Sequence, residues 1–366
     1  MATVVLLQAF FAFISVSANP AILRSSSFNF GFNVPVGSQT KVEVKNVRPY
    51  NTSKLYTITT RDNHLIVPVV AITDQDADSV VNGSVWYSTY LQGYVQYSQQ
   101  LSQYSMQWQQ SKNFTGSLAF ANRGMELSEL HSFDGNLITV DDKTGVVYKI
   151  RGNDLIPWLI ESDGDGESPN FFKAEWMTVK DENLYIGGQG YEYVSPNGSV
   201  QSTDTMWIKI VTRFGETTSV NWYNNYLKVR ESIGIRFPGY VTHEAVQWSD
   251  IHQRWFFLPR RVSTEPYNSE ANEFKGSNYL IIADETFDDI QSVRIGDVEP
   301  SRGFSTFQFL PETDDNVIIA LKTEELLNGT LATYTCIFAI DGTVFFYQQI
   351  AGHLKLEGLE FANFMG

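Results

Sequence analysis

The chain has 366 residues, 43% of them hydrophobic and 14% aromatic against 18% charged, enough apolar material for a large core and too much for a disordered chain. Twenty-six Lys and Arg against 41 Asp and Glu give a net charge of −15, the wrong sign for nonspecific binding of nucleic acid or anionic lipid. A polyphosphate site on such a chain therefore needs a metal ion or a local basic cluster.

From the N-terminus, residues 3–16 (TVVLLQAFFAFISV) form an uncharged apolar run that ends at the small residues Ser17 and Ala18. The run is shorter than the roughly 20 residues that cross a bilayer, so residues 1–18 read as a cleaved secretory signal. An uncleaved anchor is the alternative, because no Lys or Arg precedes the run. No later stretch is long and apolar enough to span, and no membrane contact is expected after cleavage. Residues 19–60 are polar and irregular and read as an N-terminal extension, leaving 61–366 as the folded domain. Sequons at Asn51, Asn82, Asn113, Asn197 and Asn328 fit a secreted glycoprotein with these sites in exposed loops; the ER or Golgi lumen is the alternative location.

Beyond residue 60 the pattern is all-β. Short runs rich in Val, Ile, Tyr, Phe and Trp (LITV, VVYKI, LYIGG, RWFFLPR, VIIALK, VFFYQQI) alternate with Asp-Gly, Asp-Asp-Lys-Thr-Gly and Asp-Asp-Asn breaks, whose residues tolerate the positive φ of tight turns. Hairpin phrases begin near Asp134, Asp181, Gln253 and Thr313, a spacing suited to four-stranded blades. A propeller of five blades needs about 300 residues, which the chain supplies. A large sandwich or a two-domain β protein is equally compatible with the pattern alone.

Familiar catalytic signatures fail on inspection. There is no P-loop, Gln247 stands where a zinc-protease helix needs His, and Phe307 replaces the second Gly of a nucleophile elbow. The Asp163-Gly164-Asp165-Gly166 loop lacks the EF-hand Gly and Glu positions and reads as a solvated turn. With five His and one Cys, Cys336, set in the apolar phrase TYTCIFAI, a zinc site is not expected and Cys336 reads as a buried strand thiol.

More informative are acids and hydroxyls placed where alternation predicts burial: Glu126 and Ser128, Glu175, Glu244, Ser305, and Glu357 and Glu360. A buried carboxylate is costly unless paired or metal-bound. These residues recur about once per blade, and innermost propeller strands converge on a central channel, where one oxygen ligand per blade would meet around a Ca²⁺.

The phrases RGMELSEL, VDDKTGVVYKI, SDGDG, FKAEWM, LYIGGQG, PGYVTHEAVQWSD, QRWFFLPRR, GFSTFQFLPETDDNVIIALK and LEGLEF together resemble the calcium-activated nucleotidases, the apyrase family of vertebrate secretory compartments and of the saliva of some blood-feeding arthropods. The resemblance implies a five-bladed β-propeller with a central Ca²⁺ that hydrolyses nucleoside di- and triphosphates. It implies Ser128, Glu175, Glu244, Ser305 and Glu357 as ligands, selecting Glu357 over Glu360 and leaving Glu126 as a neighbour. It also points to Asp142 and to Asp74 or Asp76 as catalytic residues. Arg260 and Arg261, after the RWFFLP strand, are candidates for a phosphate clamp because guanidinium forks match phosphate oxygens; Lys173 and Arg123 are further candidates. Such an enzyme is expected to act as a monomer or weak dimer. The alternatives are a non-catalytic, calcium-pinned propeller that binds a protein or glycan, and a glycosidase using Glu175 and Glu244.

Overall fold

The computed structural model describes residues 48–195, 197–350 and 352–364; the expected signal peptide lies outside them. Five antiparallel sheets with a four-stranded core arise from consecutive hairpins. Blade I is Leu127–Phe133, Asn136–Asp141, Val146–Arg151 and Asp154–Ile160; blade II is Trp176–Lys180, Asn183–Gly187, Trp207–Val211 and Thr217–Asn221. Blade III is Tyr240–Ser249, Arg254–Ser263, Tyr279–Asp284 and Ile290–Arg294; blade IV is Arg302–Phe309, Val317–Glu325, Leu331–Ala339 and Val344–Gln349. The first strands of the blades touch one another in a closed ring. This is the five-bladed propeller, and it excludes the sandwich and two-domain alternatives.

Blade V closes the ring with both ends of the folded chain. Its innermost strand is the C-terminal Leu356–Glu360, which pairs with His64–Thr73 in the register Val70 to Glu360 and Ile72 to Gly358. His64–Thr73 pairs in turn with Val85–Ser98, and that strand with Gln103–Gly116. Closure leaves no open gap in the ring, so the inner strands need no charged edge residues to block further pairing.

Blade-on-blade packing explains the sequence pattern. Five apolar clusters each fill one interface. Along His64–Thr73, Val67, Val69 and Ala71 enter the interface with blade IV while Val70 and Ile72 enter the one with blade I. Both faces are buried, so the strand reads as a continuous apolar run rather than an alternation. Outer strands such as Thr217–Asn221 and Val344–Gln349 are half-exposed to exposed. The turns expected at Asp134, Asp181, Gln253 and Thr313 are inner hairpins of blades I to IV, with positive φ at Asp134, Asp181, Gln253 and Asp314. Cys336 is buried in a blade IV strand.

The sequence pattern gave little sign of a helix, yet Tyr223–Ser232 is one. It lies on the blade II–III interface through Tyr226 and Val229, and buried Arg230 holds Glu192 bidentately at 2.6 and 2.8 Å. Residues 50–58 of the expected extension lie across the propeller: Tyr50 packs on Phe133, Tyr56 on Phe361, and Thr57 N–H donates to Asn363.

His243 sits in an aromatic box, 5.2 Å from Tyr226 and 5.3 Å from Phe257 between ring centroids, and neither ring nitrogen has a partner. Burial pushes its pKa down to about 3, and burial likewise takes His131 to about 4. Below the ordinary value near 6.5, the unfolded chain takes up protons that the folded chain refuses, so this stability is complete above pH 6.5 and is lost as pH falls toward 3. His243→Phe is expected to remove on the order of 2–4 kcal/mol of that acid dependence, seen as a flatter plot of melting temperature against pH between 6.5 and 4.

Candidate active site

Each innermost strand carries an irregularity at one of the residues singled out from the sequence. Register shifts leave Ser128 unpaired in blade I, Glu244 and Ala245 in blade III, Ser305 in blade IV and Glu357 in blade V. In blade II the N–H of Glu175 bonds to Gly187 O at 2.8 Å while Trp176 is also opposite Gly187. An extra residue in one strand bends it and re-aims its side chain. The five bulges occur at equivalent places around the ring.

Three of these residues converge directly. Carboxylate oxygens of Glu175, Glu244 and Glu357 lie within 4.8 Å of one another, and all three side chains are buried. Ser128 and Ser305 hold the corresponding places in blades I and IV, also buried, but do not line the central cavity. Ser305 Oγ donates to Leu356 O at 2.8 Å, one residue before Glu357.

The cavity, of about 420 Å³, is lined by eight acidic residues and four cations, Lys173, Arg260, Arg261 and Lys355. Asp74, Asp76 and Asp142 all face it. Lys173 bonds Asp142 and lies 2.6 Å from Glu175. Arg260 holds Glu244, and reaches Glu357 at 2.8 Å and Glu325 at 3.3 Å. Gly303 makes this possible: a Cβ there would stand 2.4 Å from Arg260 Cγ. Lys355 bridges Asp74 at 2.8 Å and Asp76 at 2.6 Å, with Glu357 at 3.3 Å. Both members of the Asp-x-Asp phrase thus reach the cavity. Arg123 takes the other side of Asp76 at 2.6 Å and bonds Glu126, which lies near Asp74 and Asp76.

Burial, opposed by Lys173 and reinforced by Glu244 and Asp142, pushes the Glu175 carboxyl up to about 8. Burial likewise raises Glu357 well above the carboxylate range, against the pull of Lys355 and Arg260, and raises Asp142 against the pull of Lys173. Asp142 Oδ1 has no partner although it is buried. The excess of acid over base, the raised carboxyls and the open oxygen all fit a hard divalent cation, which would let these groups ionise together. The donors are oxygens only, and flexible in number, as Ca²⁺ prefers.

Arg261 differs from Arg260. Its guanidinium bonds only the main-chain oxygens of Glu273, at 3.1 Å, and Ser301, at 3.3 Å. Burial and the neighbouring Arg260 lower its pKa to about 10, so it remains charged at neutral pH. Among the described residues it is the cavity cation with no carboxylate bound, which leaves its charge for an incoming anion.

The sequence reading missed Lys355 and Glu325. Lys355 had a signal, a Lys between two Leu at the alternation that also buries Glu357, whereas Glu325 lies at a strand end with none.

Comparison with known proteins identifies the family. The Apyrase family model matches residues 73–362. The chain is 44% identical over 295 residues to soluble calcium-activated nucleotidase 1 of Mus musculus, covering 80% of this chain and 73% of that one. It is 40% identical over 298 residues to an apyrase of Cimex lectularius, covering 81% and 82%, and 37% identical over 351 residues to apyrase apy-1 of Caenorhabditis elegans, covering 93% and 99%. The chain belongs to the apyrase family of nucleotide phosphohydrolases.

Proposed function

We propose that this protein is a secreted, Ca²⁺-dependent apyrase that converts nucleoside tri- and diphosphates to the monophosphate and orthophosphate. The observation that carries the reading is the meeting of Glu175, Glu244 and Glu357 from three blades beside four cations in one cavity. Glu175, Glu244 and Glu357, with Ser128 and Ser305 from the matching bulges, are the proposed ligands. Bound there, Ca²⁺ supplies Lewis acidity toward non-bridging phosphate oxygens and offsets the excess of carboxylates.

The chain's own residues do the rest. Arg261, Lys173 and Arg260 receive phosphate oxygens and hold the terminal phosphorus in line with a water. Asp142, through its open Oδ1, accepts a hydrogen bond from that water and orients it, with the Asp74–Asp76–Lys355 group lining the same cavity beside it. Water adds to phosphorus, the phosphoanhydride P–O bond breaks, and the shorter nucleotide leaves. A neighbouring cleft shares Asp76, Asp142 and Lys173 with the cavity and is rimmed by exposed Phe120, Phe171 and Tyr193, faces on which a base can stack.

The leader run and the exposure of all five sequon asparagines support secretion, although Asn113 lies inside the strand Gln103–Gly116 and Asn82 ends the strand Val80–Asn82 instead of sitting in loops; no helix among the described residues is long and apolar enough to cross a membrane. The functional test is orthophosphate release from ATP, ADP, UDP and GDP by the mature chain. Sequential loss of phosphates, ending at the monophosphate, is the expected result; release of pyrophosphate, or none from any nucleotide, overturns the reading. Arg261→Met is expected to raise KM about tenfold or more with a smaller change in kcat, since it removes a phosphate contact and no bound carboxylate; initial-rate kinetics with ADP check this.

A further inference from the structure

Blades III and IV line a second pocket, of about 250 Å³ and open to solvent on one side, away from the residues of the central cavity. Its walls are mostly apolar: Ile295 and Phe304 belong to the core of this interface, and Val344 closes one side. Lys322 lines it from the strand Val317–Glu325, opposite Phe304 in one neighbouring strand and Tyr334 in the other.

Lys322 is 3% exposed. Seven Lys or Arg residues are buried among the described residues, and six of them meet oxygen. Lys180 has Asp181 and Glu285, Lys209 has Gly164 O and Ser219, and Arg230 has Glu192. Arg260, Arg261 and Lys355 have the partners described above. Among the described residues Lys322 has no oxygen within hydrogen-bond or ion-pair distance: its Nζ lies 4.6 Å over the Phe304 ring, and Glu299 acts on it only from a distance. The nearby acids do not serve. Glu299 is bound by Arg302 and by the Tyr347 hydroxyl, and Asp297 is exposed at the rim. Cys336, the remaining polar wall, is a thiol that burial raises to about 12 and therefore carries no charge.

An ammonium on a side chain this buried, reaching solvent only through the pocket and without a counter-ion, is poorly solvated, and it gains by shedding its proton or meeting an anion. Burial does lower the Lys322 amine below its ordinary value. We propose that this inter-blade pocket binds a small amphipathic monocarboxylate, its carboxylate on Lys322 Nζ and its apolar body against Ile295, Phe304 and Val344. The volume lies just below the usual range for drug-sized ligands, so the occupant is a short fatty acid or a single-ring aromatic acid. A nucleotide is too large and too highly charged, which separates this site from the catalytic one.

The test uses the whole mature protein with octanoate and benzoate as probes, and octanol and benzamide as uncharged controls of similar shape. Both acids are expected to raise the melting temperature saturably, with dissociation constants in the millimolar range or below, while the controls do not. Lys322→Met is expected to abolish the shift and to retain phosphate release. Val344→Trp, which fills the pocket and keeps the lysine, is expected to abolish it as well, and it keeps the test decisive if the first variant does not fold. No saturable shift with either acid, an equal shift from the uncharged controls, or an undiminished shift in either variant overturns the proposal.

Discussion

Glu175→Gln is expected to lower Ca²⁺-stimulated phosphate release about 100-fold or more, a loss of roughly 3 kcal/mol of transition-state stabilisation. The amide keeps the volume but cannot supply the charge that a divalent cation and Lys173, 2.6 Å away, both require. Without Ca²⁺ the melting temperature at neutral pH is expected to change less than activity, because burial, which raises the carboxyl, already weakens the charge that the amide removes. The sign follows from the direction of the shift: stability gained by protonating Glu175 in the folded state is complete below about 4.5 and is lost as pH rises through 8. Ca²⁺ competes with that proton, so its apparent affinity is expected to rise across the same interval in the wild type and to lose this slope in Glu175→Gln, as Ca²⁺ titrations of melting temperature at several pH values will show.

Lys355→Met is the second large effect. One buried ammonium is shared by Asp74, Asp76, Glu357 and Glu325, and removing it leaves buried Asp74 without a cation and takes one of two from Asp76, Glu357 and Glu325, which keep Arg123 or Arg260. Breaking a buried pair in this way costs about 3–5 kcal/mol. Two conditions are expected to restore part of the loss. Ca²⁺ substitutes positive charge at Glu357, and mild acid protonates the carboxylates, so the variant should melt far below the wild type in EGTA and recover in part in Ca²⁺. Activity is expected to fall as well, because Asp74 and Asp76 lose the contact that fixes them. A variant that melts like the wild type in EGTA would mean that Lys355 is not the counter-ion of this group.

The propeller was half-legible in the sequence. The inner hairpins announced themselves through Asp134 with Gly135, Asp181, and Asp314 with Asp315, all at positive φ, because few residues tolerate that backbone. Ring closure was not readable from periodicity, since pairing of Val70 with Glu360 spans almost the whole folded chain and leaves no local mark. The site divides the same way. Buried acids in apolar phrases exposed Glu175, Glu244 and Glu357 by their cost, and the family resemblance chose Glu357 over Glu360. Glu360 instead accepts bonds from Ser132 N and Phe361 N. The bulges that aim these side chains, one surplus residue per inner strand, have no sequence signature. Nor did the sequence distinguish Arg260 from Arg261: both line the cavity, and only the fold shows one held by three glutamates and the other by carbonyls. The helix Tyr223–Ser232 was missed because Tyr226, Val229 and Arg230 bury a narrow stripe that includes a charge, whose partner Glu192 is remote in sequence.

The most direct test of Ca²⁺-dependent hydrolysis at the propeller centre is a Ca²⁺ titration of the purified mature chain. Phosphate release from ADP and melting temperature would be followed together, with Mg²⁺ and EGTA as controls and Glu244→Gln in parallel. The expected result is that both signals rise over the same Ca²⁺ range in the wild type, that Mg²⁺ does not replace Ca²⁺, and that the variant loses both. Phosphate release that persists in EGTA, or that is unchanged in Glu244→Gln, would contradict the assignment of this cavity as a calcium-dependent catalytic centre.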